Sequence, residues 1–323
     1  MNATHAGRPL AAPPRPFLDW TLQTDCSLWG ADVALLGITH SEPYPRDAWP
    51  NDQTRAPDAV RVQSHQFSDG LNHWDFDLGC ELASVAPPRR IDGGNLVWDG
   101  GAYDEHADRV TATARQLLAN GTQLFVIGGD HGVTIPILDA LEAVGAPIYV
   151  VHIDAHLDWR TDVDGVRRGY SSPLYWASQK PWIQGMTQIG LRGTGSARRS
   201  EVAAARAYGA SLFTAEHVHA EGFARVIETI PADAMLYVTI DADGLDPTEA
   251  PGVLAPVPGG LRFAQVAPFL RALARRQRIV GLDIVEIAPS FDAANAITCI
   301  TAGRLIVNVL GASWAPDGAF RRS

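Results

Sequence analysis

Cysteine, basic charge and long apolar runs are all scarce in this chain, and each scarcity closes off a class of protein. Cys26, Cys80 and Cys299 are few, widely spaced and odd in number, so neither a disulfide framework nor a cysteine-based zinc site is expected, and a reducing cytoplasm fits. Acidic residues outnumber basic ones to give a formal net charge of -10, against the basic footprint that a general nucleic-acid binder needs. No apolar run is expected to span a membrane, and Met1 to Pro16, rich in Ala, Pro and Arg, has no apolar core of a signal peptide. No repeat, composition shift or linker divides the chain. What remains is ordinary globular composition, 46% hydrophobic and 19% charged in 323 residues, enough for a large core. Residues 1–30 are expected to form a loosely ordered extension, and 31–323 a single domain.

Apolar runs alternate with helical patterns through most of that domain. Strands are expected at 32–38, 124–127, 148–153, 187–191, 211–214, 235–240 and 279–287, and helices at 58–67, 104–120, 135–144, 198–208, 220–230, 263–276 and 293–310. A long polar connection runs through Pro43, Pro45 and Pro50, and 69–103 gives no clear pattern. Alternation of this kind implies crossover units and a mainly parallel sheet.

In such sheets ligands bind beyond the carboxyl ends of the strands. His131 follows one predicted strand, Asp154, His156 and Asp158 follow the next, Asp241 and Asp243 a third, and Glu286 sits late in a fourth. Singly, each has a plain role: a turn histidine, a turn former beside Gly244, a helix cap. Together they gather imidazoles and carboxylates that repel or desolvate one another unless a cation sits among them. Asp154, His156 and Asp158 alternate, so an extended backbone would turn all three to one side. The charge suits two divalent ions sharing aspartates, and an oxygen-rich, sulfur-free donor set favours manganese over zinc or copper. Paired ions acidify water, which is hydrolase chemistry.

Gly128-Gly129-Asp130-His131, Asp154-Ala155-His156-Leu157-Asp158 and Asp241-Ala242-Asp243-Gly244-Leu245-Asp246-Pro247 resemble, in order and spacing, the signature motifs of the ureohydrolase family, which includes arginase, agmatinase and guanidino-acid hydrolases. The match runs from about Asp32 to the C-terminus. It implies a three-layer α/β/α fold around a central sheet of about eight strands. It also implies a binuclear Mn2+ site, one ion held by His131, Asp154, Asp158 and Asp241 and the other by Asp154, His156, Asp241 and Asp243, with Asp154 and Asp241 bridging. Asp283-Ile284-Val285-Glu286 is similar to the family segment whose glutamate pairs with the substrate guanidinium. Asp158 is then the expected proton carrier to the leaving amine, and a homo-oligomer, trimer or hexamer, is the expected assembly.

The sequence also departs from the family pattern. Tyr170-Ser171-Ser172-Pro173 stands where family members carry a histidine loop, so Tyr170 is expected at the substrate. Trp159 and Arg160 are not the residues with which arginase holds an amino acid, which makes agmatine the leading substrate. Arg160, Arg167 and Arg168 crowd the same loop and would suit the carboxylate of a guanidino acid such as guanidinobutyrate, or of a formimino acid. A metal-binding but non-catalytic subunit is the competing reading, on the strength of Tyr170.

Overall fold

Strands whose side chains are apolar on both faces have to be covered on both faces. In a computed structural model, which describes residues 10–41, 44, 51–66, 72–87, 89–194 and 196–321, they are. Nine strands form one sheet, all neighbours parallel: β1 (Thr21–Leu22), β2 (Val33–Thr39), β3 (Arg90–Val97), β4 (Gln123–Ile127), β5 (Ile148–Ile153), β6 (Ile183–Leu191), β7 (Ser211–Thr214), β8 (Met235–Asp241) and β9 (Ile279–Val285), in the order β1-β3-β2-β4-β9-β8-β5-β6-β7. Leu35, Phe125, Val151 and Val238 point into one core and Leu36, Val126, Val150 and Tyr237 into the other, the alternation expected of a sheet between two helical layers.

The helices divide accordingly. On the first face lie α1 (Ala56–Ser64), the paired short helices Ala215–Glu221 and Ala224–Thr229, Phe263–Arg276, and the apolar Ile297–Trp314. On the second lie Tyr103–Ala119, Thr134–Ala140 and Arg199–Tyr208. Ile297–Trp314 has the length and composition to cross a membrane but is 78% buried, packed on Phe263–Arg276 and α1 as a core helix.

The predicted elements are recovered with some differences. The expected helix at 220–230 is two helices, broken at Gly222, which takes φ 71°. The last helix begins at Ile297 and not at 293. The connection through Pro43, Pro45 and Pro50, and Phe67, lie outside the described residues.

The expected three-layer arrangement around a mainly parallel sheet is found, with nine strands where about eight are expected, because the N-terminal segment contributes β1, which pairs with β3. From Leu10 onward that segment is packed. Leu10, Phe17, Leu18 and Trp20 are buried; the main-chain N–H of Leu10 donates to Thr24 O at 2.9 Å, and that of Phe17 to Asp92 Oδ2 at 2.8 Å. A few apolar anchors and backbone hydrogen bonds outweigh the loop-like composition.

β3 lies in the stretch that gave no pattern, because Asp92, Gly93, Gly94 and Asn95 are poor strand residues. They are tolerated here because Arg61, fully buried on α1, donates to both oxygens of Asp92 at 2.8 and 2.9 Å and to Asn95 Oδ1 at 2.6 Å. A bidentate pair of this kind satisfies both buried charges.

Consecutive β4 and β5 are separated by β9 and β8, so the strand order reverses at the centre of the sheet. Register levels the four ends: Ile127 pairs with Ile284, Val285 with Asp241, and Ile240 with Ile153. His131, Glu286, Asp241 and Asp154 therefore emerge beside one another.

Candidate metal centre and substrate cavity

His131 opens a short 3-10 turn after β4, in which Asp130 accepts the N–H of Gly132 at 2.9 Å. The turn lies so close to the end of β2 that a Cβ on Gly129 would stand 1.6 Å from His40 O, so only glycine fits there. The imidazole faces three carboxylates, with Nδ1 3.0 Å from Asp158 Oδ2 and 3.4 Å from Oδ2 of both Asp154 and Asp241. On its other side Nε2 is 2.9 Å from Thr239 Oγ1, which donates to Asp283 at 2.5 Å. His156 Nδ1 is 3.3 Å from Asp154 Oδ1 and 3.1 Å from Asp243 Oδ2.

Asp154 joins the two halves, one oxygen toward His156 and the other toward His131. Asp241 turns Oδ2 to His131, while its Oδ1 accepts the N–H of Asp243 at 2.8 Å. All six predicted metal residues are thus brought together. Their convergence does not come from an extended backbone: β5 ends at Ile153, the chain bends through Ala155 and His156, and Asp158 takes φ 52°. Asp246, by contrast, ties its own turn, accepting from the N–H groups of Thr248, Gly259 and Gly260.

The electrostatics of the cluster call for a cation. Burial, with Asp243 and Asp154 beside it, pushes Asp241 well above the usual carboxylate range; burial and Asp154 raise Asp243 to about 6. Burial opposes charge on the imidazoles, yet the facing carboxylates overcome it, holding His131 well above its ordinary value and His156 at about 12. Both rings would carry a proton at neutral pH to offset the carboxylates. Nδ1 of His131 is buried and makes no hydrogen bond of good geometry, although it aims at three carboxylate oxygens. An orphaned nitrogen among oxygens is the donor arrangement that a divalent ion completes, and two groups, His131 with His152, Asp154 and Asp158, and Asp154 with His156 and Asp243, are close enough to hold one.

Above the cluster opens a cavity of about 330 Å³. His156, Asp158, Asp241, Asp243 and Glu286 face it from below, and Asn51, Gln53, Tyr170, Ser171, Ser196, Leu254 and Ala255 form its walls. Glu286 sits at φ 66°, a left-handed backbone that costs a non-glycine residue on the order of 1 kcal/mol. Its carboxylate accepts the main-chain N–H of His131 at 2.7 Å on one oxygen and the amide of Gln53 on the other. Burial, with Asp130 nearby, raises its pKa to about 8.

Tyr170 lines the cavity with its ring against Tyr44, centroids 4.2 Å apart. The three loop arginines do not line it. Arg160 donates to Ser196 O at 3.1 Å and pairs with Glu201 at 3.4 Å, Arg168 pairs with Asp139 at 2.9 Å, and Arg167 is exposed. Trp159 packs in the core.

Sequence reasoning missed three residues. His152 Nε2 donates to Asp154 Oδ2 at 2.9 Å, Gln53 braces Glu286, and Arg192 binds the backbone of the Asp243 turn. His152, two residues before Asp154, reads in the sequence as part of the strand and is part of it. Gln53 and Arg192 lie far from the motifs in sequence and carried no signal.

Residues 31–311 match the model of the arginase family. The chain is 33% identical over 294 residues to an agmatinase of Chromobacterium violaceum, covering 88% of this chain and 84% of that one. It is 31% identical over 269 residues to an N(1)-aminopropylagmatine ureohydrolase of Thermus thermophilus, covering 80% and 83%. Among solved structures, proclavaminate amidino hydrolase from Streptomyces clavuligerus superposes with a TM-score of 0.80 at 26% identity, over 93% of this chain and 97% of that one. A complete histidine–aspartate cluster at the sheet's switch point and homology along most of the chain agree: this protein belongs to the arginase family, as a ureohydrolase that cleaves carbon–nitrogen bonds of guanidino or amidino compounds.

Proposed function

We propose that the protein is a binuclear manganese ureohydrolase whose substrate is agmatine, cleaved to urea and a diamine, with residues 31–323 working as one catalytic unit in a cytoplasmic homo-oligomer. The observation that carries the choice of substrate is the cavity wall: among the described residues that line it there is no lysine or arginine to hold a carboxylate. Arg160 and Arg168, the residues that would favour a guanidino acid, are engaged by Glu201 and Asp139. The agmatinase and aminopropylagmatine ureohydrolase relatives support the same choice.

One ion would be held by His131, Asp154, Asp158 and Asp241, and the other by Asp154, His156, Asp241 and Asp243. The oxygen-rich donors favour manganese. When bound, such a pair acidifies water and polarises the bonds of the central carbon.

The chain's own groups do the rest. Glu286 has one hydrogen bond on each carboxylate oxygen, leaving further lone pairs for two N–H groups of a planar guanidinium. Braced on both oxygens, the carboxylate sets the orientation of the guanidinium over the cluster. Asp158 both faces His131 and lines the cavity, so it can pass a proton to the leaving nitrogen. Tyr170 closes the wall where relatives in the resemblance carry a histidine, and its ring excludes water.

The test is the ratio of kcat/KM for agmatine to that for guanidinobutyrate, measured for the Mn2+-loaded protein and for Arg160→Ala. Agmatine is expected to be preferred, with the ratio unchanged by the substitution. A preference for guanidinobutyrate that Arg160→Ala abolishes would replace agmatine with a guanidino acid.

A further inference from the structure

Arg192 follows β6, and its main-chain N–H donates to Ala155 O at 3.1 Å, beside the ligands that follow β5. Its guanidinium makes an unusual set of bonds. Nη2 donates to the carbonyls of Asp243, Leu245 and Val257 at 2.5, 3.1 and 2.8 Å, Nη1 to those of Gly244 and Gly190 at 3.3 and 3.1 Å, and Nε again to Val257 at 3.0 Å.

Every acceptor is a backbone oxygen. This is notable because, against the burial that disfavours its charge, the guanidinium is supported by carboxylates, Asp243 first and then Asp154, Asp246 and Asp241. An arginine beside a carboxylate ordinarily forms a bidentate pair with it. Here the carboxylate of Asp243 is turned the other way, with Oδ2 toward His156 at 3.1 Å and Oδ1 receiving the N–H of Ala155 at 3.3 Å. The positive charge thus offsets the buried aspartates without occupying the oxygens that face the cluster.

The turn is also closely packed. A Cβ on Gly244 would stand 2.8 Å from Asp154 N, so the turn lies directly against the end of β5. Arg192 reaches the same turn from the end of β6 and ties it to Val257, close in sequence to the wall residues Leu254 and Ala255.

We propose that Arg192 is a positioning residue of the metal centre: by clamping the carbonyls of the Asp243 turn it fixes the half-site of His156 and Asp243, and it supplies that half-site with a countercharge that competes for none of its donor oxygens. This rests on the metal-centre reading above and deepens it. Partners behind metal ligands commonly account for 10- to 100-fold in affinity. Loss of Arg192 is therefore expected to weaken one ion by about 10- to 100-fold and leave the other, beside His131, as tightly held as before.

The experiment titrates metal-stripped full-length protein with Mn2+ alone, following bound ion by its magnetic resonance signal, for wild type, Arg192→Met and Arg192→Lys, with a melting curve for each. Two ions in wild type and one of unchanged affinity with one weakened in Arg192→Met is the expected result. Arg192→Lys, which keeps the charge but loses the planar fork, should fall between the two and serves as the deciding variant if Arg192→Met does not fold. Variants that bind both ions like wild type, whether or not they melt earlier, would reduce Arg192 to a structural residue and overturn the inference. A wild type that binds no Mn2+ would instead overturn the metal-centre reading itself, and this proposal with it.

Discussion

Thr239 Oγ1 stands between His131 and Asp283, 2.9 Å from Nε2 of the one and 2.5 Å from Oδ1 of the other. Since the hydroxyl proton goes to the carboxylate, the hydroxyl oxygen accepts from the ring, which keeps a proton on Nε2; loss of the second proton on metal uptake would then leave the Nδ1 lone pair as the ligand, on the side of Asp154, Asp158 and Asp241. Thr239→Val keeps the shape and removes the acceptor. It should weaken Mn2+ binding about 10- to 100-fold with little change in melting temperature, read by metal titration. Unchanged affinity would remove Thr239 from the account.

Metal uptake should release protons. His156, raised to about 12, and His131, also raised, carry protons in the metal-free protein at neutral pH, and each must be neutral to ligate. Affinity for Mn2+ should therefore rise with pH across the neutral range. Calorimetric titration at pH 7.5 in two buffers of different ionisation enthalpy should give different apparent heats, and equal heats would show that no proton leaves.

Most of this site was legible because its residues cluster in three short motifs at strand ends, where a parallel sheet exposes them. The strand from Arg90 to Val97 was not, because Asp92 and Asn95 belong to a strand only when Arg61 is buried against them, a pairing across 31 and 34 residues. Arg192 and Gln53 were hidden for a related reason: one donates to backbone carbonyls, which have no sequence signature, and the other reaches Glu286 from 233 positions away. The loop arginines show the converse. Their position beside the motif suggested a carboxylate reader, but acidic partners distant in sequence, Glu201 and Asp139, draw Arg160 and Arg168 aside.

Removing Arg61 leaves Asp92 charged and buried without its partner. Arg61→Met should cost about 3–5 kcal/mol of stability. Denaturant unfolding of the metal-free protein measures this, and a loss below about 1 kcal/mol would place the pair among weakly contributing surface bridges.

Asp154 touches both halves of the cluster, whereas His131 belongs to one. Asp154→Asn should abolish activity at every Mn2+ concentration, while His131→Asn should retain a residue of activity that grows with excess Mn2+. Activity against metal concentration for both variants decides it, and equal recovery would mean that Asp154 does not serve two ions.

The most direct test of the account is the product of the Mn2+-loaded protein acting on agmatine. Urea and the diamine should appear in equal amounts, and the reaction should cease when the metal is removed and resume when Mn2+ is restored. Absence of urea from agmatine and from every guanidino compound offered, by a protein carrying its full complement of Mn2+, would contradict the assignment of this site to guanidine hydrolysis.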